Sequence, residues 1–182
     1  MKTVQQLTLN DRMLVDFGTS NDDDGRAAPS PDQNGNYWNN WRPLPGSTAI
    51  PAGTTIGGLI TTSNDVPTGV GLKVTSAFTG SNGRINGGLL APDPALLGDF
   101  AVTNATEDYF YEDGATDREA GFKIFGLDPQ FTYDLHFFAT RATTSTRKTR
   151  YTVTGANGKF IADLQTSGDN IGNDGIYDGN DD

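Results

Sequence analysis

The chain has 182 residues, contains no cysteine, and carries 13 basic against 23 acidic residues, for a net charge of −10. This length suits one domain that needs no disulfide or metal to fold, and the missing thiols exclude thiol catalysis and thiolate zinc sites. A chain this acidic repels phosphate backbones, so we expect no nucleic-acid partner. Its apolar runs fall short of the roughly 18 residues that a membrane span needs, so no membrane span is predicted.

Short apolar segments with period two follow one another along the chain, and we interpret them as β-strands separated by glycine, asparagine and proline turns. Residues 1–11 are predicted to be an N-terminal extension or linker, and residues 12–182 a single domain. Eight short strands at near-regular spacing favour an all-β fold, an antiparallel β-sandwich with jelly-roll character. The predicted strands cover 12–17, 55–62, 69–78, 100–111, 120–127, 131–141, 149–155 and 159–167.

Between the first two strands lies a long loop that opens with the acidic stretch SNDDDG, residues 20–25. Clustered carboxylates beside glycine suit calcium, which takes six to eight oxygen ligands. The same chemistry recurs in NDGIYDGNDD, residues 173–182. Neither stretch completes a calcium-loop motif, so an acidic solvated turn is the alternative. The predicted ligands of a structural calcium ion are Asp22, Asp24, Asp174, Asp178 and Asp181.

The same loop contains GNYWNNWRP, residues 35–43, with both tryptophans of the chain. Exposed aromatic rings stack on the C–H faces of sugars while amides and guanidinium groups bind hydroxyls. Alternatively, a buried tryptophan pins a long loop to the core and bonds its indole N–H internally. We predict Trp38 as the anchor and Trp41 as the more exposed ring. The candidate ligand-binding residues of this stretch are Tyr37, Trp38, Asn39, Asn40, Trp41 and Arg42.

One short helical turn is predicted in APDPALLGD, where Asp93 can cap, Pro94 suits the first position and Gly98 can end the turn. Beyond it, the candidates for catalysis are weak. The single histidine, His136, is interpreted as a half-buried residue of a strand. Glu107–Asp108 and Glu112–Asp113 could act as acid and base in glycoside hydrolysis, but strand neighbours point to opposite faces. No catalytic residue is therefore predicted, and the chain is not expected to be an enzyme.

The segment RATTSTRKTR, residues 141–150, concentrates four basic residues in ten positions of an acidic chain. It is predicted to be a hairpin. Its arginines either pair with aspartates of the fold or bind an anionic ligand such as a uronate or a sulfated sugar. The candidate residues are Arg141, Arg147 and Arg150.

The last stretch, residues 167–182, has five aspartates and turn chemistry where a sandwich would place a closing strand. The domain is accordingly predicted to be truncated at its C-terminus.

The segments LVDFG, YWNNW, GLDPQFTYDLHFFATR and RYTVTGANG together resemble a β-sandwich domain of large secreted bacterial polysaccharide-utilisation proteins. Such domains are similar to galactose-binding-like carbohydrate-binding modules, and the resemblance spans most of residues 12–181. It implies a non-catalytic accessory role with a sugar as ligand, and one or two further strands after residue 182.

Together these patterns predict a non-catalytic extracellular or cell-surface module, part of a larger multidomain chain, that binds a polysaccharide or oligosaccharide through ring stacking and polar contacts. The alternative is a structural or adhesive spacer domain stiffened by calcium. A carboxylate-dependent hydrolase or lyase is a third class. The spacer predicts two buried tryptophans, whereas the binding module predicts an exposed ring beside polar groups.

Overall fold

The structure is a computed structural model that describes residues 4–113 and 118–168. Strands dominate these residues and the helices are short. The strands are β1 Leu14–Phe17, β2 Trp38–Trp41, β3 Thr55–Gly57, β4 Gly71–Ser76, β5 Gly80–Asn82, β6 Tyr109–Tyr111, β7 Gly121–Phe125, β8 Arg147–Gly155 and β9 Gly158–Ser167. The helices are α1 Pro94–Leu97 and α2 Thr103–Thr106, with 3₁₀ turns at Arg84–Asn86 and Gly98–Phe100.

The strands form small and mostly antiparallel sheets. The order β3-β4-β7 gives a three-stranded sheet, and β5-β6 and β8-β9 are two-stranded. The expected β-rich, largely antiparallel fold is therefore confirmed. Across residues 4–113 and 118–168 no sheet closes on itself. No helix in this part of the chain is long and apolar enough to cross a membrane.

The first two strands pair in parallel, with Leu14 opposite Trp38 and Phe17 opposite Trp41. The sequence predicted a loop at residues 38–41, and this prediction is wrong. Three of the four residues of β2 are buried, because the strand is covered on both faces, and it therefore lacks the period-two signal of a half-exposed strand. Residues 18–37 form the crossover that a parallel pair requires.

The main core gathers around Trp41 and the inward side chains of β4. Val70, Leu72 and Val74 alternate into it as the period of 69–78 predicted. Aromatic rings close the cluster, with the Phe17 ring centroid 5.7 Å from that of Trp41 and 5.3 Å from that of Phe110. A smaller cluster of Leu14, Ala28, Trp38 and Val102 lies on the other side of β1.

The helical turn predicted at residues 93–98 is confirmed as α1. The Asp93 carboxylate accepts a hydrogen bond from the Ala95 amide at 2.8 Å, Pro94 is the first residue, and Gly98 follows the last. The strand predicted over 100–111 is wrong for most of its length, because a 3₁₀ turn and α2 precede the short β6. Val102 and Thr106 are both buried at the i, i+4 spacing of a helix.

The strand predicted at residues 131–141 is also wrong. This described stretch has no strand pairing, and its apolar residues Phe131, Leu135 and Phe137 are exposed. Its backbone is tied at the end, where the Arg141 amide donates to the Thr166 carbonyl at 2.8 Å. His136, expected to be half-buried, is exposed here. The hairpin β8-β9 follows and is solvent-exposed along most of both faces.

Candidate functional site

Trp38 anchors the long loop, as the sequence predicted. The residue is 3% exposed, and its indole N–H donates to the Asp32 carboxylate at 2.9 Å. The same carboxylate accepts from the backbone amides of Asn34 and Asn36. Burial opposes ionisation of Asp32, but these bonds outweigh it and hold the pKa of the carboxyl below its ordinary value. Residues 32–38 therefore form one hydrogen-bonded unit.

Trp41 lies in the main core rather than on the surface. It is 3% exposed and packs against the rings of Phe17, Phe110 and Phe122. The expectation that Trp41 is the more exposed tryptophan is wrong. Because WNNW is a strand and not a loop, both tryptophans face packed side chains on opposite sides of β1. Neither indole presents a free face on which a sugar could stack.

The two asparagines between the tryptophans are engaged by backbone groups. The side-chain NH2 group of Asn39 donates to the carbonyls of Leu14 and Ile60. Its side-chain oxygen accepts from the backbone amide of Ile60 at 2.8 Å. The Asn40 side chain forms two bonds to Ala28, accepting from its amide and donating to its carbonyl. These side-chain bonds supplement the pairing of β1 with β2 and join β2 to Ala28 and Ile60.

Arg42 bonds to three residues of the loop that contains the acidic stretch. Its guanidinium donates to the carbonyls of Thr19 and Gly25 and to the Asp22 carboxylate, the last at 2.7 Å. Tyr37, one residue before β2, is half-buried and its amide donates to the Thr62 carbonyl. The stretch proposed for ligand binding is therefore internally bonded in the structure, and ligand binding by these residues stays a prediction.

Two of the predicted calcium ligands, Asp22 and Asp24, lie within the described residues, and both carboxylates bond to protein groups. Asp22 pairs with Arg42, and the Asp24 carboxylate accepts from the Ile85 amide at 2.7 Å. Within residues 4–113 and 118–168, no group of three or more carboxylates or histidines has the arrangement of a metal site. Asp174, Asp178 and Asp181 lie outside the described residues. Calcium binding stays a prediction.

The arginines of segment 141–150 separate into different environments. Arg150 forms a two-bond pair with Asp163 across the hairpin, at 2.7 and 2.9 Å, as the ion-paired alternative predicted. Arg141 donates to the Asn86 carbonyl. Arg147 is exposed at the start of β8. The charges of Arg141 and Arg147 both act on the Tyr109 hydroxyl, whereas Arg150 is paired with Asp163, and anion binding by the three arginines stays a prediction.

A set of three buried carboxylates contacts the loop that contains the acidic stretch; the sequence singled out Glu107 and Asp108 as an acid and base pair but not Asp16. Asp16 on β1, and Glu107 and Asp108 between α2 and β6, are 1%, 1% and 5% exposed. The Asp16 carboxylate accepts from the Ala28 amide at 3.1 Å, and that of Asp108 from the Thr19 amide at 2.9 Å. Glu107 accepts from the Arg26 amide at 2.8 Å. The three carboxylates together hold residues 18–28 in place.

Two of these carboxyls have raised pKa values. Burial raises the pKa of Asp16 well above its ordinary value, and the nearby charge of Asp108 raises it further. Burial also raises the pKa of Asp108 to about 7, opposed by the Thr19 hydrogen bond and assisted by the charge of Glu107. Arg42 favours ionisation of both. The carboxyls adjoin a tightly packed loop, so the arrangement is a buried acid pair.

The sequence contained one signal for this cluster. In LVDF, Asp16 has the same parity as the buried Leu14, which places a carboxyl at an inward position of the strand. The spacing could not reveal the partner, because Asp108 comes from a segment predicted as a strand and found as the end of a helical turn. Nothing in the sequence around Gly18 and Gly25 indicates that both glycines lie against Asp108.

A separate surface combines exposed aromatic rings on the hairpin. The Phe137 ring stacks on that of Tyr151 with centroids 5.0 Å apart and planes inclined by 25°. Pairing of Tyr151 with Ala162 and of Val153 with Phe160 places Phe160 on the same hairpin face as Tyr151. Phe160 is 64% exposed. We call Phe137, Tyr151 and Phe160 the aromatic hairpin face.

Comparison of the chain with protein-family models, with curated proteins and with solved structures finds no match in any of the three.

Proposed function

We propose that the chain is a non-catalytic structural or adhesive module of a larger extracellular or cell-surface protein. One observation carries the proposal: both tryptophans are buried, and Asn39, Asn40 and Arg42 around them are bonded within the fold. Residues 37–42, whose composition suits a sugar-binding site, thereby anchor a long loop to the core. The β-sandwich with jelly-roll character belongs to the same proposal, supported by the β-rich, largely antiparallel strand pairing.

The proposal is tested by tryptophan fluorescence with acrylamide quenching, in the presence and absence of a panel of soluble neutral and acidic glycans. We expect blue-shifted emission that resists quenching and is unchanged by every glycan, because both indoles lie in packed clusters. Emission that acrylamide quenches and a glycan protects would overturn the proposal. It would return YWNNW to the role of a binding surface.

Carbohydrate binding is the second candidate function, and the aromatic hairpin face is what favours it. Phe137 and Phe160 are exposed while Phe137 stacks on Tyr151, so ring faces and edges meet solvent on a sheet surface. Sugars are bound in proteins by such platforms, which supply apolar area at low cost in side-chain entropy. The ligand would be a polysaccharide or oligosaccharide held on this face of the hairpin.

Binding at this face is tested with the same glycan panel by titration calorimetry on the full chain and on the variant Phe160→Ala. Removing one stacking ring should weaken the affinity about tenfold. The matched control is Ile161→Ala, which truncates the neighbouring exposed residue on the opposite hairpin face. Equal affinities of the two variants, or no binding by the unmodified chain, would eliminate this candidate.

A further inference from the structure

Two oxygen atoms of the buried carboxylate cluster have no hydrogen-bond partner. They are Asp16 Oδ1 and Asp108 Oδ1, while the other oxygen of each carboxyl accepts a backbone amide. A buried acceptor without a partner is costly, and a buried pair of like charges costs more. The two orphan atoms belong to neighbouring carboxyls whose charges and hydrogen bonding act on each other.

One proton satisfies both atoms at once. Placed on Asp16 Oδ1, it would turn that oxygen into a donor to the Asp108 carboxyl, with which Asp16 is in hydrogen-bond contact. Asp16 is the better proton holder because the Ala28 amide that reaches it at 3.1 Å also donates to Asn40 at 2.7 Å, whereas Asp108 Oδ2 receives the Thr19 amide at 2.9 Å. Bonds to the charged form stabilise it, so the negative charge resides on Asp108.

We infer that Asp16 and Asp108 share one proton in the folded protein, and that this proton is required to keep residues 18–28 closed over the pair. The loop depends on the pair directly, since the Thr19 amide bonds to Asp108 and the Ala28 amide to Asp16. Without the proton, two buried carboxylates repel each other under the loop, and opening the loop would let water solvate both charges.

The charged groups around Asp16 and Asp108 determine how strongly the pair retains its proton. Glu107, beside Asp108, is a third negative charge and strengthens retention of the proton. Arg42, from the end of β2, opposes retention but shares its guanidinium with Asp22 and two carbonyls. Arg26 lies 3.6 Å from Glu107 and is more than half exposed, and the Asp24 carboxylate bonds to the Ile85 amide.

The direct test is the pH titration of the carboxyl carbon shifts of Asp16 and Asp108 in the labelled full chain. We expect one of the pair to titrate near neutral pH, well above the ordinary aspartate value of 3.8. After correction for the base catalysis that accelerates exchange of every amide, the protection of the Thr19 and Ala28 amides should fall over the same pH interval. Both carboxyls titrating near their ordinary value of 3.8 would overturn the inference.

The variant Asp16→Asn tests the proton without removing the hydrogen bond, because an amide N–H permanently takes its place. The unfolding constant of the unmodified chain should rise by up to about tenfold per pH unit between pH 5 and 7. That of Asp16→Asn should show a flatter profile, while the control Asp65→Asn keeps the steep one. Identical slopes in Asp16→Asn and Asp65→Asn would overturn the inference.

A bound cation could satisfy the same two oxygens and gives the contrasting outcome. The chain is titrated with calcium chloride at pH 6, where the inference requires the proton to be in place, against magnesium chloride at equal ionic strength. A saturable calcium response that protects the Thr19 amide and disappears in Asp16→Asn would show a cation in place of the proton, and would overturn the inference. The absence of such a calcium response would support the inference.

Discussion

At the scale of single residues, the acidic loop depends on glycines that touch the buried carboxyls. A Cβ built at Gly25 would lie 2.2 Å from Asp108 Oδ2 and 2.6 Å from Asp108 Cβ. Real Cβ atoms do not approach other atoms so closely, and Asp108 is enclosed. The absence of a side chain at residue 25 therefore allows the loop to close over the carboxylate.

We predict that Gly25→Ala destabilises the fold by about 1–3 kcal/mol, the usual cost of overpacking a filled interior. The matched control is Gly69→Ala, where an added Cβ meets nothing within 4 Å. Urea denaturation followed by circular dichroism gives both free energies of unfolding. A loss in Gly69→Ala as large as in Gly25→Ala would contradict the steric explanation.

A second residue-scale prediction concerns Asp32, whose carboxylate accepts the Trp38 indole and two backbone amides. Asp32→Asn should lower the free energy of unfolding at pH 7 by about 1–3 kcal/mol, because one donor would face another. Since the pKa of Asp32 is lowered in the folded state, its stabilising contribution is present above the unfolded value near 4 and is lost as pH falls below it.

The check is a series of urea denaturations of Asp32→Asn and the unmodified chain from pH 7 to pH 3. The two free energies should converge at the acidic end of the series. A difference that stays constant with pH would mean that Asp32 acts through shape and not through its charge.

At the scale of elements, the sequence predicted those segments whose environment matches a simple period. Val70, Leu72 and Val74 alternate into the core from β4, and the cap, proline and glycine of α1 are local signals. It failed where tertiary surroundings decide, as in β2, which is buried on both faces, and at residues 100–106, where α2 replaces a predicted strand. Trp38 as anchor was predictable from loop length, whereas the Asp16–Asp108 contact joins segments 92 positions apart and has no local signature.

The hairpin β8-β9 is long, but it forms a sheet of two strands that pair with each other, and most of its residues are exposed. Two-stranded ribbons have little stability of their own in water. We predict that its amides exchange faster than those of the sheet β3-β4-β7, whose central strand β4 lines the core. Residue-resolved hydrogen exchange measures this, and equal protection of β4 and β8 would contradict it.

At the scale of the whole molecule, charge is unevenly distributed. The chain carries −10 overall, yet residues 147–168 contain Arg147, Lys148, Arg150 and Lys159 against Asp163 alone. The remainder is therefore more acidic than the total suggests, at −13 if the +3 of this segment is subtracted from −10. Repulsion among these carboxylates opposes the compact state, and counter-ions screen it within about 8–10 Å at moderate salt.

We predict that the midpoint of thermal unfolding at pH 7 rises between about 20 mM and about 200 mM sodium chloride, because the shorter Debye length, reduced about threefold, relieves net repulsion. Differential scanning fluorimetry measures the midpoint. A midpoint that falls with salt would mean that attractive ion pairs such as Arg42–Asp22 outweigh the repulsion.

The bond between the Thr19 amide and Asp108 also bears on how the chain is made. It joins residues 89 positions apart. At ribosomal rates of about 5–20 residues per second, the loop emerges roughly 4–18 s before the carboxylate that it covers. During that interval Asp16 is hydrated and ionised, with no acceptor for a proton. Residues 18–28 of a nascent chain therefore cannot close over the pair until Asp108 has been synthesised.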